Sequence, residues 1–361
     1  MKILYILKKG LQCYPPCLSQ VLVLDDLGYE LEVYHGKNSP LINKMLDDRG
    51  IIHHTFSSDR NNKNRIESAA NFLAFIREVR RKQSTLDTQA LIWIGNMETA
   101  LSLDPQRLCK RKFILNVLEL YDEHTLYDRW LKKYIHEADI VISCEKHRAA
   151  IMQSRYRLAE KPVIIPNKPY ETKVDGEPFD CDVSEIIKSH FTIVYQGMIS
   201  KDRPLENVAR ALSLIGDSNN VFLIMGECSE QYKDEIRAIY SNVVFTGFVP
   251  APQHLCYTQY CNIGIANYDT SSLNNIFCAP NKIYEYAKFG IPMLCSLNIA
   301  LEESVGAFNA GLCIDFKDVE TIAEAIRNIL KEYDYYSQNA IAFYNDFSIK
   351  EAIKKVVEKI R

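Results

Sequence analysis

The feature that most limits how this chain can fold is a series of short, largely apolar runs separated by helical patterns. Residues 2–7 form the first run, which breaks at Lys8-Lys9-Gly10. Others stand at 31–34, 51–56, 91–94, 113–118, 140–143 and 163–167. Helical stretches lie between them, at about 17–27, 66–82 and 130–138. In the second, Ala69, Phe72, Leu73, Ile76 and Val79 read as one apolar stripe. Strands that are apolar on both faces and alternate with helices predict a parallel sheet covered on both sides.

The pattern stops and then restarts. Residues 167–190 contain the polar, turn-rich stretch Lys168-Pro-Tyr-Glu-Thr-Lys-Val-Asp-Gly-Glu-Pro178, which reads as an interdomain linker. Beyond it come apolar runs at 191–195, 221–225, 243–245, 263–266, 292–295 and 312–314, again with helical stretches between. A length of 361 residues suits two domains. The expected division is a first Rossmann-like domain over 1–168, a linker over 169–189 and a second over 190–345. A last helix over 346–361 is expected to pack back on a domain, with Ile353, Val356, Val357 and Ile360 on one face. The alternative for that helix is to lie on a membrane.

The totals exclude several classes. A composition 47% hydrophobic and 25% charged is that of a soluble globular protein. A net charge of −3 offers no basic field for nucleic acid, so no nucleic-acid partner is expected. The 11 cysteines are odd in number and contain no C-x-x-C pair, and Cys144, Cys295 and Cys313 sit within apolar runs. They read as reduced thiols in a cytoplasmic protein, and no metal site is expected. Basic clusters at Arg77/Arg80/Arg81/Lys82 and Lys110-Arg111-Lys112 are either solvated faces or a peripheral contact with the inner face of a membrane.

One stretch carries chemistry: Cys278-Ala-Pro-Asn-Lys-Ile-Tyr-Glu-Tyr-Ala-Lys-Phe-Gly-Ile-Pro292. Pro280 and Asn281 read as stop and cap of a short helix, with Gly290 as a left-handed end and Pro292 beyond it. Ile283, Tyr286 and Ala287 share one face, while Lys282 and Glu285 stand three apart on another. Free N–H groups at the helix start attract anions such as phosphate, and a carboxylate one turn on suits vicinal ribose hydroxyls. A solvated Lys–Glu pair on a surface helix is the plainer reading.

Open α/β sheets bind ligands at the carboxyl ends of their strands. In the second half those ends carry Gly197, Gly226-Glu227, Gly247-Phe248 and Tyr268-Asp269. Lys201 and Arg203 follow Gly197 in a loop before a helix, well placed to meet a diphosphate. A dehydrogenase reading fails, because G-x-G-x-x-G occurs nowhere; the G-x-x-x-x-G-K-[ST] loop and the G-x-S-x-G elbow are also missing.

These segments resemble retaining glycosyltransferases of the GT-B fold, closest to glycosyltransferase family 4. The likeness rests on Ile193–Arg203, Val243–Val249, Cys261–Tyr268 and Pro280–Pro292, and more loosely on Glu137–Ser143 and Val163–Asn167. It implies an α/β fold of two Rossmann-like domains facing a central cleft. It also implies metal-independent transfer of a sugar from a nucleotide-diphosphate donor to a saccharide or lipid-linked acceptor, with the anomeric configuration retained. The setting would be bacterial surface polysaccharide or glycolipid synthesis. By this resemblance Glu285 matches the second Glu of the family's E-x7-E signature, which holds the donor ribose, and Arg203 the cation on the diphosphate. Ala279, Pro280, Asn281 and Lys282 would approach the phosphates or the sugar, with Gly197 and Lys201 beside them. Glu227, Gly247 and Phe248 would border the nucleobase. On the first domain Gly10 would lie in the loop near the donor, and Glu119 near the reaction.

The chain departs from the family in four places. Phe277 stands where the first Glu of the signature belongs, and Met198 replaces the usual Arg after the first glycine. Leu118 stands where many relatives carry a His. The loop at Lys8-Lys9-Gly10 is poorer in glycine than is usual. A nucleotide-sugar epimerase of the same fold and a non-catalytic partner subunit are therefore the competing readings.

Overall fold

The computed structural model describes residues 1–57, 65–121, 125–170, 178, 180–200 and 203–360. The chain forms two compact units, Met1–Tyr170 with Ser348–Arg361, and Glu171–Phe347.

The first unit holds seven strands: β1 (Lys2–Ile6), β2 (Glu30–His35), β3 (Ile52–Thr55), β4 (Leu91–Ile94), β5 (Phe113–Val117), β6 (Ile140–Ser143) and β7 (Val163–Ile164). All pair in parallel, in the order β3-β2-β1-β4-β5-β6-β7. The second unit repeats the plan with β8 (Phe191–Gln196), β9 (Asn220–Met225), β10 (Val243–Phe245), β11 (Ile263–Ala266), β12 (Met293–Ser296) and β13 (Gly311–Ile314). Its order is β10-β9-β8-β11-β12-β13, again all parallel. In each unit the chain builds outward from its first strand, then crosses back to start the other side. That reversal opens a crevice between β1 and β4, and between β8 and β11, at the strands' carboxyl ends.

The continuous apolar runs follow from burial on both faces. Phe222, Leu223 and Ile224 in β9 are all fully buried. One face of the first sheet, with Ile3, Tyr5, Trp93 and Ile114, packs on helices Pro15–Asp26 and Ile349–Ile360. The final helix therefore spends its apolar stripe inside the first unit, where Ile353, Val356 and Val357 are buried. Helices begin where short polar side chains accept otherwise orphaned N–H groups: Ser39 from Ile42, Ser229 from Tyr232 and Asp318 from Glu320.

Three expectations need correction. Residues Cys181–Ser189 are not linker but a helix capped by Asp180, with Val183 and Ile187 in the second unit's core. Asn281 does not cap its helix: it is the first helical residue, and the N-cap is Pro280, which offers no side-chain acceptor. In helix Arg65–Gln83 Phe75, Val79 and Gln83 are buried, while Ala69 and Leu73 are exposed. Phe75 sets that rotation, because its ring packs edge-on against Phe56 at 5.0 Å. All 11 cysteines are free thiols, six of them buried.

Candidate functional site

In the second unit the crevice between β8 and β11 gathers Gly197, Arg203, Lys282 and Glu285. β8 delivers Tyr195, Gln196 and Gly197, β11 delivers Asn267, Tyr268 and Asp269, and helix Asn281–Lys288 closes the floor. Gly197 has φ +120°, a conformation open chiefly to glycine. A Cβ on Gly197 would lie 3.5 Å from Lys282 Nζ, and one on Gly226 would lie 2.2 Å from the Gly197 carbonyl. The two strand ends are thus closed down on each other with only backbone between them.

Lys282 sits beneath this floor and is 6% exposed. Its Nζ lies 3.9 Å from the centroid of the Tyr195 ring and 5.5 Å from that of Tyr268. Among the described residues it finds no hydrogen-bond partner. Burial, and after it the charge of Arg203, hold the ammonium down at about 7, against the pull of Glu285. Arg203 is half-buried and places its guanidinium 4.7 Å from the Tyr268 ring. Two cations therefore flank one aromatic ring beside an uncapped helix start. Such an arrangement is costly to the empty protein and suited to an anion.

Glu285 is also buried, at 4% exposure, so the solvated Lys–Glu pair does not occur. Its two oxygens have separate partners. Gln196 Nε2 donates to Oε2, and His254 Nε2 lies 3.2 Å from Oε1. Gln196 is fixed in turn by Thr258, whose hydroxyl donates to Gln196 Oε1 at 2.7 Å. Sequence reasoning missed this bracket. Gln196 carried a readable signal, a polar residue ending an apolar strand, but His254 reaches Glu285, and Thr258 reaches Gln196, only through the fold.

On the opposite wall Asp269 accepts from Ser271 Oγ and Asn275 Nδ2, both at 2.7 Å. Although burial acts the other way, these bonds and the charge of Arg203 hold its carboxyl below the usual range. Asn267 Nδ2 donates to the Pro204 carbonyl at 2.6 Å and so ties β11 to the Arg203 loop.

Other expected residues of the second unit lie on loops after its strands or at the start of helix Asn281–Lys288. Glu227 is exposed just past β9. Gly247 has φ +69°, and Phe248 beside it is 61% exposed. Ala279 and Asn281 are half-buried and Pro280 is buried. Phe277 is half-buried in the place where the family pattern has its first Glu. Lys201 lies outside the described residues.

Gly10 and Glu119 belong to the first unit. A Cβ on Gly10 would meet the Lys37 carbonyl at 2.2 Å, so the glycine lets the loop after β1 pack on the loop after β2. Glu119 is exposed beyond β5. Burial, followed by the charge of Glu119, raises the Tyr121 hydroxyl well above its ordinary range.

Residues 190–332 match the family model described as glycosyl transferases group 1, a span that covers most of the second unit. No curated protein matches the sequence. Solved structures share the fold over almost the whole chain. A sucrose-phosphate synthase from Thermosynechococcus elongatus aligns with TM-score 0.69 at 14% identity, covering 100% of this chain and 99% of its own. Anabaena HepE, solved in complex with UDP-glucose, aligns with TM-score 0.70 at 14% identity, covering 99% and 98%. A glycosyltransferase from Rickettsia africae aligns with TM-score 0.62 at 13% identity, covering 99% and 97%. The two parallel-sheet units are those of the GT-B fold.

Proposed function

We propose that the protein is a glycosyltransferase that moves a sugar from a nucleotide-diphosphate donor to an acceptor hydroxyl. The observation that carries this reading is Lys282, a buried ammonium without a hydrogen-bond partner among the described residues, beside Arg203 and an uncapped helix start. A diphosphate supplies the acceptor that this ammonium lacks. The group 1 match over the same residues supports a donor of this kind, as does a neighbouring fold solved with UDP-glucose.

In the proposed reaction the bond from the anomeric carbon to the diphosphate oxygen breaks as the acceptor hydroxyl adds on the same face, its proton passing to the departing diphosphate, with the configuration retained. Negative charge grows on the departing diphosphate. Arg203, Lys282 and the N–H groups at the start of helix Asn281–Lys288 stabilise it in place of a metal ion. Glu285, held by Gln196 and His254, presents a fixed carboxylate edge toward the donor ribose. Glu119 and Gly10 keep their assignments from the family resemblance, and the acceptor is a saccharide or a lipid-linked saccharide of a bacterial surface polymer.

A thermal-shift panel of UDP-, GDP-, ADP- and dTDP-sugars tests donor binding, since a ligand of the native state raises its stability. The stabilising donor is then followed for turnover. Sugar transfer is the expected result. Isomerised donor would assign the chain as an epimerase, and no shift with any nucleotide would leave the scaffold reading.

A further inference from the structure

Two thiols of the second unit stand opposite each other in its sheet, and the donor reading uses neither. Cys295 in β12 and Cys313 in β13 are direct partners in the parallel register. Among the described residues they are the only cysteines that lie within strands. Paired residues on neighbouring strands put their side chains on one face and their Cα atoms about 5 Å apart, inside the range that a disulfide spans. Both are free thiols.

Their surroundings differ in a way that gives each a role. Cys295 is fully buried in the core that also holds Cys278, Ile283 and Tyr286. Burial pushes its thiol well up, so it keeps its proton. Cys313 packs at the edge of that core and is partly exposed. Cys295 donates a hydrogen bond to it, which holds the Cys313 thiol below its ordinary value. The backbone N–H of Gly306 acts in the same sense, against burial and the charge of Glu302. Gly306 ends the π-helical turn Glu302–Gly306, and a Cβ there would lie 3.5 Å from Cys313 Sγ. One sulfur is thus favoured as a thiolate and reachable, and the other is a protonated thiol behind it. A nucleophilic thiol and its resolving partner have this arrangement.

We propose that Cys313 and Cys295 form a site of reversible oxidation by hydroperoxides. The Cys313 thiolate attacks one oxygen of hydrogen peroxide and the O–O bond breaks. Hydroxide leaves and takes up the proton that the thiol released, and a sulfenic acid remains on Cys313. Cys295 then attacks that sulfur, and its proton departs with the sulfenic oxygen as water. Two thiols and one peroxide give one disulfide and two waters, with two electrons passing from sulfur to oxygen. A dithiol restores both thiols by exchange. The bond reaches the donor pocket through β12. Cys295 lies within electrostatic reach of Lys282, and its neighbour Ser296 accepts from the Tyr268 N–H at 3.0 Å. Closing the sulfurs to about 2 Å pulls on the strand that sets the Tyr268 ring beside Lys282 and Arg203. This consequence rests on the donor reading; the oxidation itself does not.

The full-length protein is reduced, desalted and treated with a small excess of hydrogen peroxide. Remaining thiols are blocked with N-ethylmaleimide, and the chain is digested without reductant for mass spectrometry. The expected product is a pair of peptides joined through Cys295 and Cys313, lighter by two hydrogens than their sum and separated by dithiothreitol. In Cys295→Ala the sulfenic acid persists on Cys313 and is captured by dimedone, whereas in Cys313→Ala no label enters Cys295. No peptide joined through these two residues overturns the proposal, and so does a bond from Cys295 to Cys278 in its place. Dimedone on Cys295 instead of Cys313 overturns it as well. UDP, GDP, ADP and dTDP are then titrated into the reduced and oxidised forms. Binding at least about five-fold weaker after oxidation is expected, restored by dithiothreitol and absent from peroxide-treated Cys313→Ala. Equal affinity in the two forms overturns the link to the pocket. A reduced protein that binds none of the four counts against the donor reading and leaves the mapped disulfide standing.

Discussion

Replacing Lys282 by Met is expected to stabilise the empty protein while abolishing donor binding. The lysine titrates at 10.5 when exposed and at about 7 in the folded chain. A folded value below the unfolded one means that the unfolded chain holds more protons between those limits, so stability rises as pH climbs from about 7 to about 10.5. At about 1.4 kcal/mol per pH unit, the buried charge costs the folded state up to about 5 kcal/mol below pH 7. Methionine keeps the stem and drops the charge. Even a quarter of that cost, about 1 kcal/mol, raises the melting temperature of a unit this size by about 2–4 °C. The assay is a pair of thermal melts, wild type against variant, at pH 6 and pH 9. The variant's advantage should be large at pH 6 and shrink at pH 9, where the wild-type lysine is neutral. Calorimetric titration of a nucleoside diphosphate at pH 7.5, in two buffers of different ionisation enthalpy, should show uptake of a substantial fraction of a proton by wild type. A variant that melts lower than wild type at both pH values, or that binds the diphosphate as tightly, would refute the reasoning.

Other perturbations separate support from contact. Glu285→Ala leaves Gln196 and His254 without their carboxylate, at about 1–3 kcal/mol each, so a lower melting temperature should accompany lost activity. Arg203→Ala should weaken diphosphate binding at unchanged fold and, by removing a repelling charge, move the pH midpoint of Lys282 upward in a titration of the empty protein. Gly197→Ala, at φ +120° and against Lys282, should cost about 1–3 kcal/mol in a denaturant melt and reduce donor affinity with it.

The inner strands were legible because they are buried on both faces, and an apolar run of that kind shows in the letters alone. Strands β6, β10 and β11 lie where the sequence places them. Helix faces were less legible. The stripe through Leu73 fitted the period of a helix, but Phe75 finds Phe56 across the fold and turns that side outward. Helix Cys181–Ser189 was hidden in a polar stretch because its buried face is only Val183, Ser184 and Ile187. At the candidate site the single residues Arg203, Lys282 and Glu285 were readable from motif and spacing. Their state was not: burial of the Lys–Glu pair depends on Tyr195, Tyr268, Gln196 and His254, which come from three separate segments.

The most direct measurement is an equilibrium titration of UDP, GDP, ADP and dTDP into wild type and Lys282→Met at pH 7. The account expects at least one diphosphate to bind wild type in the micromolar range and to lose about 100-fold or more in the variant, as a buried charged hydrogen bond is removed. If none of the four binds wild type, or if the variant binds equally well, the pocket beneath Gly197 is not a diphosphate site.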